Sequence, residues 1–211
     1  MSDGELAAYS LVELAVDRLR RDILSGRTDP GERLVEEQLT RRLGISRAPL
    51  REAMRLLAEQ GLVEHIPRRG ARVATLSEED MRELYEVRDV LERHAVGASP
   101  AEPDLSRLRS ALDMIRKATE ADDRLELANA HRRFHVEVVA LSGNRQLTAL
   151  YETILVKIQL YMAANMRREA ETARAEDGVL RHASLFAAIE AGDTGEILRG
   201  LSAHGARTYL G

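Results

Sequence analysis

The stretch Val35–Ala74 has the sequence VEEQLTRRLGISRAPLREAMRLLAEQGLVEHIPRRGARVA, in which helix-forming runs alternate with turn residues. A short helix over residues 36–43 is expected to end at Gly44, because glycine readily takes the left-handed conformation that closes a helix. A second helix over residues 47–60 then begins after Ser46, a good N-cap residue. This spacing predicts two helices joined by a tight turn.

The residues on either side of these two helices predict the rest of a first domain. Apolar residues at helical spacing indicate an earlier helix that ends near Gly26. After the second helix, residues 62–66 and 71–74 are expected to form two short strands, with residues 67–70 as the turn between them. Residues 1–76 are therefore predicted to form a winged helix-turn-helix domain that binds DNA.

Arginines on the predicted second helix suit contact with DNA. The major groove of B-DNA accepts one helix, and the first turn of that helix meets the base edges. Arg47 and Arg51 are four residues apart, so they share a face near that end, where a guanidinium can pair with guanine O6 and N7. Ser46 can help to hold a phosphate, and Arg68 and Arg69 in the wing suit a phosphate or the minor groove. The alternative is an amphipathic helix with a solvated arginine face.

Composition excludes several classes of protein. The 211 residues include no cysteine, which rules out disulfides and thiolate metal sites, and no apolar run is long enough to span a membrane. The acidic start MSDGELAAYS lacks the apolar region of a secretory signal, so a cytoplasmic protein that does not engage a membrane is expected. The formal net charge is −4, but residues 41–55 carry five arginines and one glutamate, and the local arrangement of cations governs phosphate binding.

Residues 77–211 are expected to be entirely helical and to form a second domain. Ser77 and the three acidic residues after it suit a helix N-terminus. Apolar residues at helical spacing mark six helices, with breaks at residues 99–103, 142–144 and 192–193. The predicted fold class is mainly α, with a winged helix-turn-helix followed by a six-helix antiparallel bundle.

Four histidines in the second half of the chain are candidates for a metal site. His131 and His135 are four residues apart on one predicted helix, so their rings project from the same face. His182 and His204 lie on the last two predicted helices, which an antiparallel bundle can bring beside them. Three or four neutral imidazoles would suit a divalent ion, zinc or nickel above all. The alternative for each histidine alone is an ordinary surface or hydrogen-bonded residue.

The N-terminal third of the chain resembles a known DNA-binding family. GISRAPLREAMRLLAEQGLV, followed by PRRGARV, closely resembles the winged helix-turn-helix of GntR-family bacterial transcription regulators, and the match covers roughly residues 10–76. The resemblance implies DNA contacts at Ser46, Arg47, Ala48, Arg51 and the wing glycine Gly70. Ala48 departs from the family pattern, since many members carry threonine there. Glu37 stands where some members carry a DNA-contacting arginine, so that role is not carried over.

Residues 77–211 resemble the FCD-type ligand-sensing domain of the FadR branch of the same family. The resemblance rests on LYEVRDVLERHA, HRRFHVEVVALSGNRQL and RHASLFAAIEAGDTGEILRGLSAH. In metal-binding FCD domains an aspartate and three histidines bind the ion. His135, His182 and His204 match the three histidines, and the aspartate position falls on His131. Either His131 replaces the carboxylate in a four-histidine site, or three histidines bind with a weaker fourth contact.

Arg88 is the candidate effector-binding residue. The resemblance implies that an arginine here faces the cavity and pairs with a carboxylate of the effector. The alternative is an ion pair with Glu92, four residues further along the helix. A four-histidine site keeps the full charge of the ion, whereas an aspartate would cancel half of it. We therefore expect a small carboxylate effector.

The predicted function is that of a DNA-binding transcription regulator, with repression as the commoner sense in the family. A homodimer would bind a palindromic operator, one half-site for each N-terminal domain, and the effector would shift the balance between binding-competent and incompetent dimers. One alternative is a regulator whose metal site is purely structural. A metal-dependent hydrolase is disfavoured, because no carboxylate lies between His131 and His135 to act as a general base, so no enzyme activity is expected.

Overall fold

The structure is a computed structural model of the chain and describes residues 3–169 and 175–203. This part is mainly helical, as the sequence predicts. None of its helices is both long and apolar enough to cross a membrane. The helices are α1 (Asp3–Leu24), α2 (Glu36–Leu43), α3 (Arg47–Glu59), α4 (Glu78–Ala98), α5 (Ser106–Glu120), α6 (Arg124–Ala140), α7 (Arg145–Glu169), α8 (Ala175–Glu190) and α9 (Thr194–Ala203). The strands are β1 (Arg33–Leu34), β2 (Val63–Ile66) and β3 (Gly70–Val73).

The chain divides into two compact units. The first consists of Met1–Thr75 with Gln159–Arg168, and the second of Leu76–Ile158 with Glu169–Gly211. The sequence offers no signal for assigning the end of α7 to the first unit, because its helical pattern continues without a break. A domain boundary after residue 76 stays a prediction.

The first unit contains the predicted pair of helices. α2 ends at Gly44, whose φ of 67° is the left-handed conformation that glycine adopts without strain. Ser46 is the N-cap residue of α3, as predicted, although its side chain makes no capping hydrogen bond. Leu50, Met54 and Leu57 of α3 are buried, which leaves the arginine face of the helix in solvent.

A three-stranded antiparallel sheet forms the wing, in the order β1-β3-β2. Val63 pairs with Val73 in the predicted hairpin, and Leu34 of β1 pairs with Ala71 of β3. β1 was not predicted, because two residues are too few to give a periodic pattern. Leu34 is buried, so this short strand ties the wing to the apolar core of the first unit.

Asp22, a buried acidic residue near the end of α1, joins α1 to α2. Its carboxylate lies 3.1 Å from the guanidinium of Arg42 on α2, 3.4 Å from that of Arg27 and 3.6 Å from that of Arg18. Its backbone carbonyl accepts hydrogen bonds from the N–H groups of Arg27 and Thr28. Because a buried carboxylate is costly unless it is paired, these contacts fix the junction between the two helices.

The described residues after Glu78 form six helices, in agreement with the predicted number. α4 begins with a capping box, in which the Ser77 hydroxyl accepts from the Asp80 N–H at 3.1 Å and the Asp80 carboxylate accepts from the Ser77 N–H at 2.7 Å. α5 packs against α6 and α8, and α4 packs against α6 and α9. The buried core of these helices is apolar and includes Leu108, Leu112, Ile115, Phe134, Val138, Leu185, Ile189 and Leu201.

The buried face of α4 differs from the predicted one. Leu84, Val87, Leu91 and Ala95 recur at helical spacing and so predict one apolar face of α4, but Val87 is 46% exposed. Ala95 is buried as this pattern predicts, and the other buried residues of α4 are Met81, Tyr85, Arg88 and Glu92. The hydrophobic pattern could not predict the burial of Arg88 and Glu92, because both are charged. In the structure they form an ion pair with each other. With this face of α4 buried, Arg88 and Glu92 lie towards α6, where Arg88 contacts His135.

Candidate functional site

α3 presents a row of arginines to solvent. Arg47, Arg51 and Arg55 are all exposed, and Arg47 lies in the first turn of the helix. The positions predicted to contact DNA are exposed without exception: Ser46, Arg47, Ala48, Arg51, Arg68, Arg69 and Gly70. The first turn of α3 and the tip of the wing therefore carry the groups that phosphate and base edges require.

An ion pair not anticipated from the sequence holds Arg51. Its Nε donates to both carboxylate oxygens of Glu36, at 2.9 and 3.1 Å. This hydrogen bond lowers the pKa of Glu36 below its ordinary value. Glu36 begins α2 and lies 15 residues before Arg51, so no local spacing could have revealed the pair. Arg55 is held on its own helix by Glu52 and Glu59.

The wing turn has an unusual backbone at Arg68. Its φ is 63°, in the left-handed region that a non-glycine residue seldom enters, and Gly70 follows with a φ of 89°. The N–H of Arg69 donates to the carbonyl of Ile66 at 3.0 Å, which closes the turn. Two arginines are thereby held at the tip of a tight hairpin.

Three of the four predicted metal-site histidines converge in the second unit. His131 and His135 on α6 and His182 on α8 each offer a ring nitrogen, and these atoms lie within 4.8 Å of one another. His135 and His182 are buried, and His131 is half-buried. The fourth predicted histidine, His204, lies outside the described residues.

The ring of His182 has a fixed tautomer. Its Nδ1 lies 2.6 Å from the backbone carbonyl of Gly178, and because a carbonyl only accepts, Nδ1 must carry the proton. A neutral ring then has its lone pair on Nε2, which is buried. Phe134 packs edge-on against the ring at a centroid distance of 5.0 Å. His182 therefore has the tautomer that a metal ligand needs.

A buried polar network lies behind His135. Arg88 Nε donates to Glu92 Oε1 at 2.8 Å, and the Tyr151 hydroxyl donates to the same oxygen. His135 Nδ1 lies 3.2 Å from Arg88 Nη2 and 3.5 Å from Glu92 Oε1. All four side chains are almost fully buried. The predicted alternative for Arg88, an ion pair with Glu92, is present in the structure.

Burial and charge act in opposite directions on this network. Burial disfavours the charge on Arg88, but the nearby Glu92 and Tyr151 outweigh it and raise the pKa of Arg88 above its ordinary value. Burial is the main cause that raises the pKa of Tyr151 well above 10.0. Arg88 is therefore charged and Tyr151 is neutral at every physiological pH.

A cavity of about 260 Å³ lies beside this network. Arg88 and Glu92 form part of its wall, so the two roles considered for Arg88 are compatible. The rest of the wall comes from α4 and α9: Arg82, Tyr85, Glu86, Asp89, Leu201 and Ser202. Three carboxylates and two guanidiniums line it, so its wall has an excess of negative charge, and none of the three converging histidines belongs to that wall.

The histidine cluster fits a divalent metal ion by the chemistry of its donors. Three imidazoles on two packed helices supply borderline nitrogen ligands, the type that zinc and nickel prefer. The tautomer of His182 agrees with this fit. The Glu92 carboxylate, 3.5 Å from His135 Nδ1, is the type of acceptor that ordinarily supports a histidine ligand from its other ring nitrogen.

Family comparisons agree with both halves of this description. Residues 11–73 match the family described as bacterial regulatory proteins, gntR family, and residues 83–207 match the FCD domain. The chain is a GntR-family transcription regulator. Members of this family are transcription regulators rather than enzymes, and the FCD domain is their effector-binding domain, with metal bound in some members.

Relatives of this GntR-family regulator cover most of its length. It is 33% identical over 178 residues to the HTH-type transcriptional regulator YdhC of Bacillus subtilis, spanning 82% of this chain and 78% of the relative. It is 29% identical over 185 residues to the HTH-type transcriptional repressor GlaR of Escherichia coli, spanning 83% of this chain and 84% of the relative. A solved GntR regulator from Rhodococcus sp. RHA1 superposes with a TM-score of 0.80 at 28% identity, covering 92% and 93% of the two chains.

Sequence reasoning missed three residues of the regulator's candidate sites. The role of Glu36 as a partner of Arg51 was missed, because the two residues are 15 positions apart and lie on different helices. Glu92 was considered only as a partner of Arg88, and Tyr151 was not considered. Glu92 lies 3.5 Å from His135 Nδ1 and accepts from the Tyr151 hydroxyl, and both contacts arise from packing between helices, which no motif spacing encodes.

Proposed function

We propose that this regulator is a homodimeric repressor that binds a palindromic operator and senses a small carboxylate at a metal-containing pocket. The observation that carries the proposal is the convergence of His131, His135 and His182. An apolar core has no need of three imidazoles at this separation, and the donors match a divalent ion. The name of the relative GlaR as a repressor supports the direction of regulation. Operator binding implies a cytoplasmic location.

DNA binding is assigned to α3 and the wing. Arg47 and Arg51 would pair with base edges in the major groove, since both project from the first half of the exposed face. Arg68 and Arg69 would neutralise phosphates at the wing tip. Contacts that only position the backbone are assigned to Ser46, Ala48 and Gly70.

The metal would be held by His131, His135 and His182, with zinc or nickel the preferred ion. His204, which the resemblance places as a further ligand, lies outside the described residues. When bound, the ion supplies a positive centre with an open coordination position for a carboxylate. The chain's own residues orient the imidazoles, and the replacement of the family's aspartate by His131 leaves the charge of the ion undiminished.

Arg88 would take the other end of the anionic effector. Arg88 lines the cavity, and its guanidinium stays protonated because its pKa is raised above the ordinary value. Its pairing with Glu92 does not exclude this role, because a guanidinium has five donors and the Nε–Oε1 bond uses one of them. An effector carboxylate between the ion and Arg88 would be held at two points.

Metal analysis of purified protein tests the proposal. The wild type should retain about one zinc or nickel per chain, and His135→Ala and His131→Ala should lose it because each removes one of three ligands. His131→Ala is included because its half-buried position tolerates truncation better. His94→Ala, an exposed histidine on α4, should keep full metal content. Full metal in the His131 and His135 variants would refute the site.

A purely structural metal is the second candidate, supported by the burial of His135 and His182. A chelator separates the two. If metal removal abolishes the response of operator binding to carboxylates while the helical circular dichroism persists, the site is a sensor. If metal removal unfolds the second unit, the site is structural.

A further inference from the structure

His135 Nδ1 lies between two groups of opposite hydrogen-bonding character. Arg88 Nη2, at 3.2 Å, can only donate, and Glu92 Oε1, at 3.5 Å, can only accept. Nδ1 can therefore satisfy one of them at a time. Without a proton it accepts from Arg88, and with a proton it donates to Glu92.

This choice decides whether His135 can bind a metal. A neutral imidazole carries one proton on one of its two nitrogens. When Nδ1 accepts from Arg88, the proton is on Nε2, the nitrogen that would bind the ion, and ligation is blocked. When Nδ1–H donates to Glu92, Nε2 has its lone pair. His182 differs, because its Nδ1 lies 2.6 Å from the carbonyl of Gly178, which can only accept.

We propose that Glu92 is a positioning residue that holds His135 in its metal-binding tautomer, and that Arg88 and the metal ion compete for this ring. The proposal rests on the metal site proposed above and adds residues outside the ligand set. Glu92 is 3% exposed and receives the Tyr151 hydroxyl and Arg88 Nε, so its carboxylate is fixed in place beside the ring. Zinc binding would exchange the contact of His135 with Arg88 for one with Glu92.

Zinc affinity of Glu92→Gln tests the positioning role. The amide keeps the shape of the side chain but removes the charge that favours a proton on Nδ1. Zinc binding, measured by competition with a chromophoric chelator, should weaken about 10- to 100-fold, the usual cost of losing an outer-shell partner. Glu83→Gln makes the same change at an exposed position of α4 and should leave zinc affinity unaltered.

Arg88→Lys supplies a change of opposite sign. A lysine keeps the positive charge beside Glu92, but its single ammonium replaces the fork that reaches both Glu92 and His135. With the competing donor withdrawn, zinc should bind more tightly than to the wild type. Loss of zinc affinity in Arg88→Lys comparable with that of Glu92→Gln would indicate a general disturbance of the core and would overturn the proposal.

The tautomer itself can be observed by long-range ¹H–¹⁵N correlation of the histidine rings. In the zinc-free protein a substantial fraction of His135 should be protonated on Nε2, and zinc should convert it to the Nδ1–H form. His182 should remain Nδ1–H throughout. An unchanged His135 tautomer would overturn the proposal, and this readout does not depend on whether Glu92→Gln folds.

These outcomes separate the two levels of inference. A wild type that binds no zinc overturns the metal site and the proposal together. A wild type that binds zinc, with equal affinity in Glu92→Gln, overturns only the role of Glu92.

Discussion

Glu36 of α2 holds Arg51 of α3 through a bifurcated hydrogen bond, with Arg51 Nε 2.9 Å from Oε1 and 3.1 Å from Oε2. The pair lies at the exposed end of α3 where DNA would approach. A carboxylate at this position repels phosphates, and it also fixes the direction of one of the two arginines assigned to base edges. Because the pair engages Nε, the two Nη groups of Arg51 would make the base contacts proposed for it.

Glu36→Gln should separate these two effects. Removal of the negative charge should raise affinity for non-specific DNA, while discrimination between operator and non-specific DNA should fall because Arg51 loses its orientation. Fluorescence anisotropy with both DNAs at fixed salt measures the ratio. Glu59→Gln, at the other end of α3, removes the same charge and should not alter discrimination. An unchanged ratio in Glu36→Gln would show that the pair does not orient Arg51.

The same pair predicts a pH dependence. The pKa of Glu36 is lowered from 4.5, so its contribution to stability is present above that value and is lost as the pH falls through the lower folded pKa. The difference in unfolding free energy between wild type and Glu36→Gln should therefore be constant at neutral pH and shrink below pH 4.5. Urea denaturation at a series of pH values measures this difference. A difference that stays undiminished well below pH 4.5 would show that the ionised Glu36 carboxylate does not cause it.

Arg47→Ala should cost about 1–3 kcal/mol in operator affinity and relax the base preference at one position of each half-site. Arg55→Ala is the matched control, because Arg55 is held by Glu52 and Glu59 on its own helix and should contribute little. Binding to operator variants distinguishes the roles. If specific and non-specific affinity fall equally in Arg47→Ala, this arginine contacts phosphate rather than a base.

Arg68→Gly and Arg69→Gly should differ in stability but not in DNA binding. Each removes one phosphate contact, so each should reduce the slope of log affinity against log salt by about 1. Only Arg68 has a positive φ, so glycine there relieves backbone strain, and Arg68→Gly should be more stable than Arg69→Gly by about 1 kcal/mol. Equal thermal stability of the two variants would mean that the turn carries no such strain.

His131→Asp restores the carboxylate that the family carries at this position and should weaken binding of carboxylates. The aspartate cancels part of the charge of the ion, which reduces its attraction for an anion. Calorimetric titration of a panel of small carboxylates into metal-loaded wild type and variant measures the difference. If wild type and His131→Asp contain equal metal and bind carboxylates with equal affinity, the proposal that His131 favours an anionic effector is wrong.

The ends of several helices could be predicted from the sequence with good accuracy, because single residues determine them. Gly44 ends α2 at the predicted residue, and Ser77 with Asp80 begins α4 through a capping box. Features that depend on pairing between distant segments could not. β1 forms through the pairing of Leu34 with Ala71 of β3. The ion pair between Glu36 and Arg51 requires that α2 and α3 pack against each other.

The second unit shows a different limit. Four histidines and their wide spacing predicted a cluster, and three of them converge in the structure. The buried face of α4 was predicted wrongly, because Arg88 and Glu92 are hydrophilic by type and yet lie inside. They can be buried because they neutralise each other and because side chains from other helices are their hydrogen-bond partners. Tyr151 donates to Glu92, and His135 contacts Arg88.

The hydrogen bond from His182 to the carbonyl of Gly178 has an evolutionary consequence. A main-chain acceptor is present whatever amino acid occupies position 178, so point mutations that leave α8 intact cannot take this support away from the ring. His135, in contrast, depends on two neighbouring side chains that a single codon change can replace. If His135 and His182 ligate a metal as proposed, the support of one ligand can change by a single mutation while the support of the other is inherited unchanged.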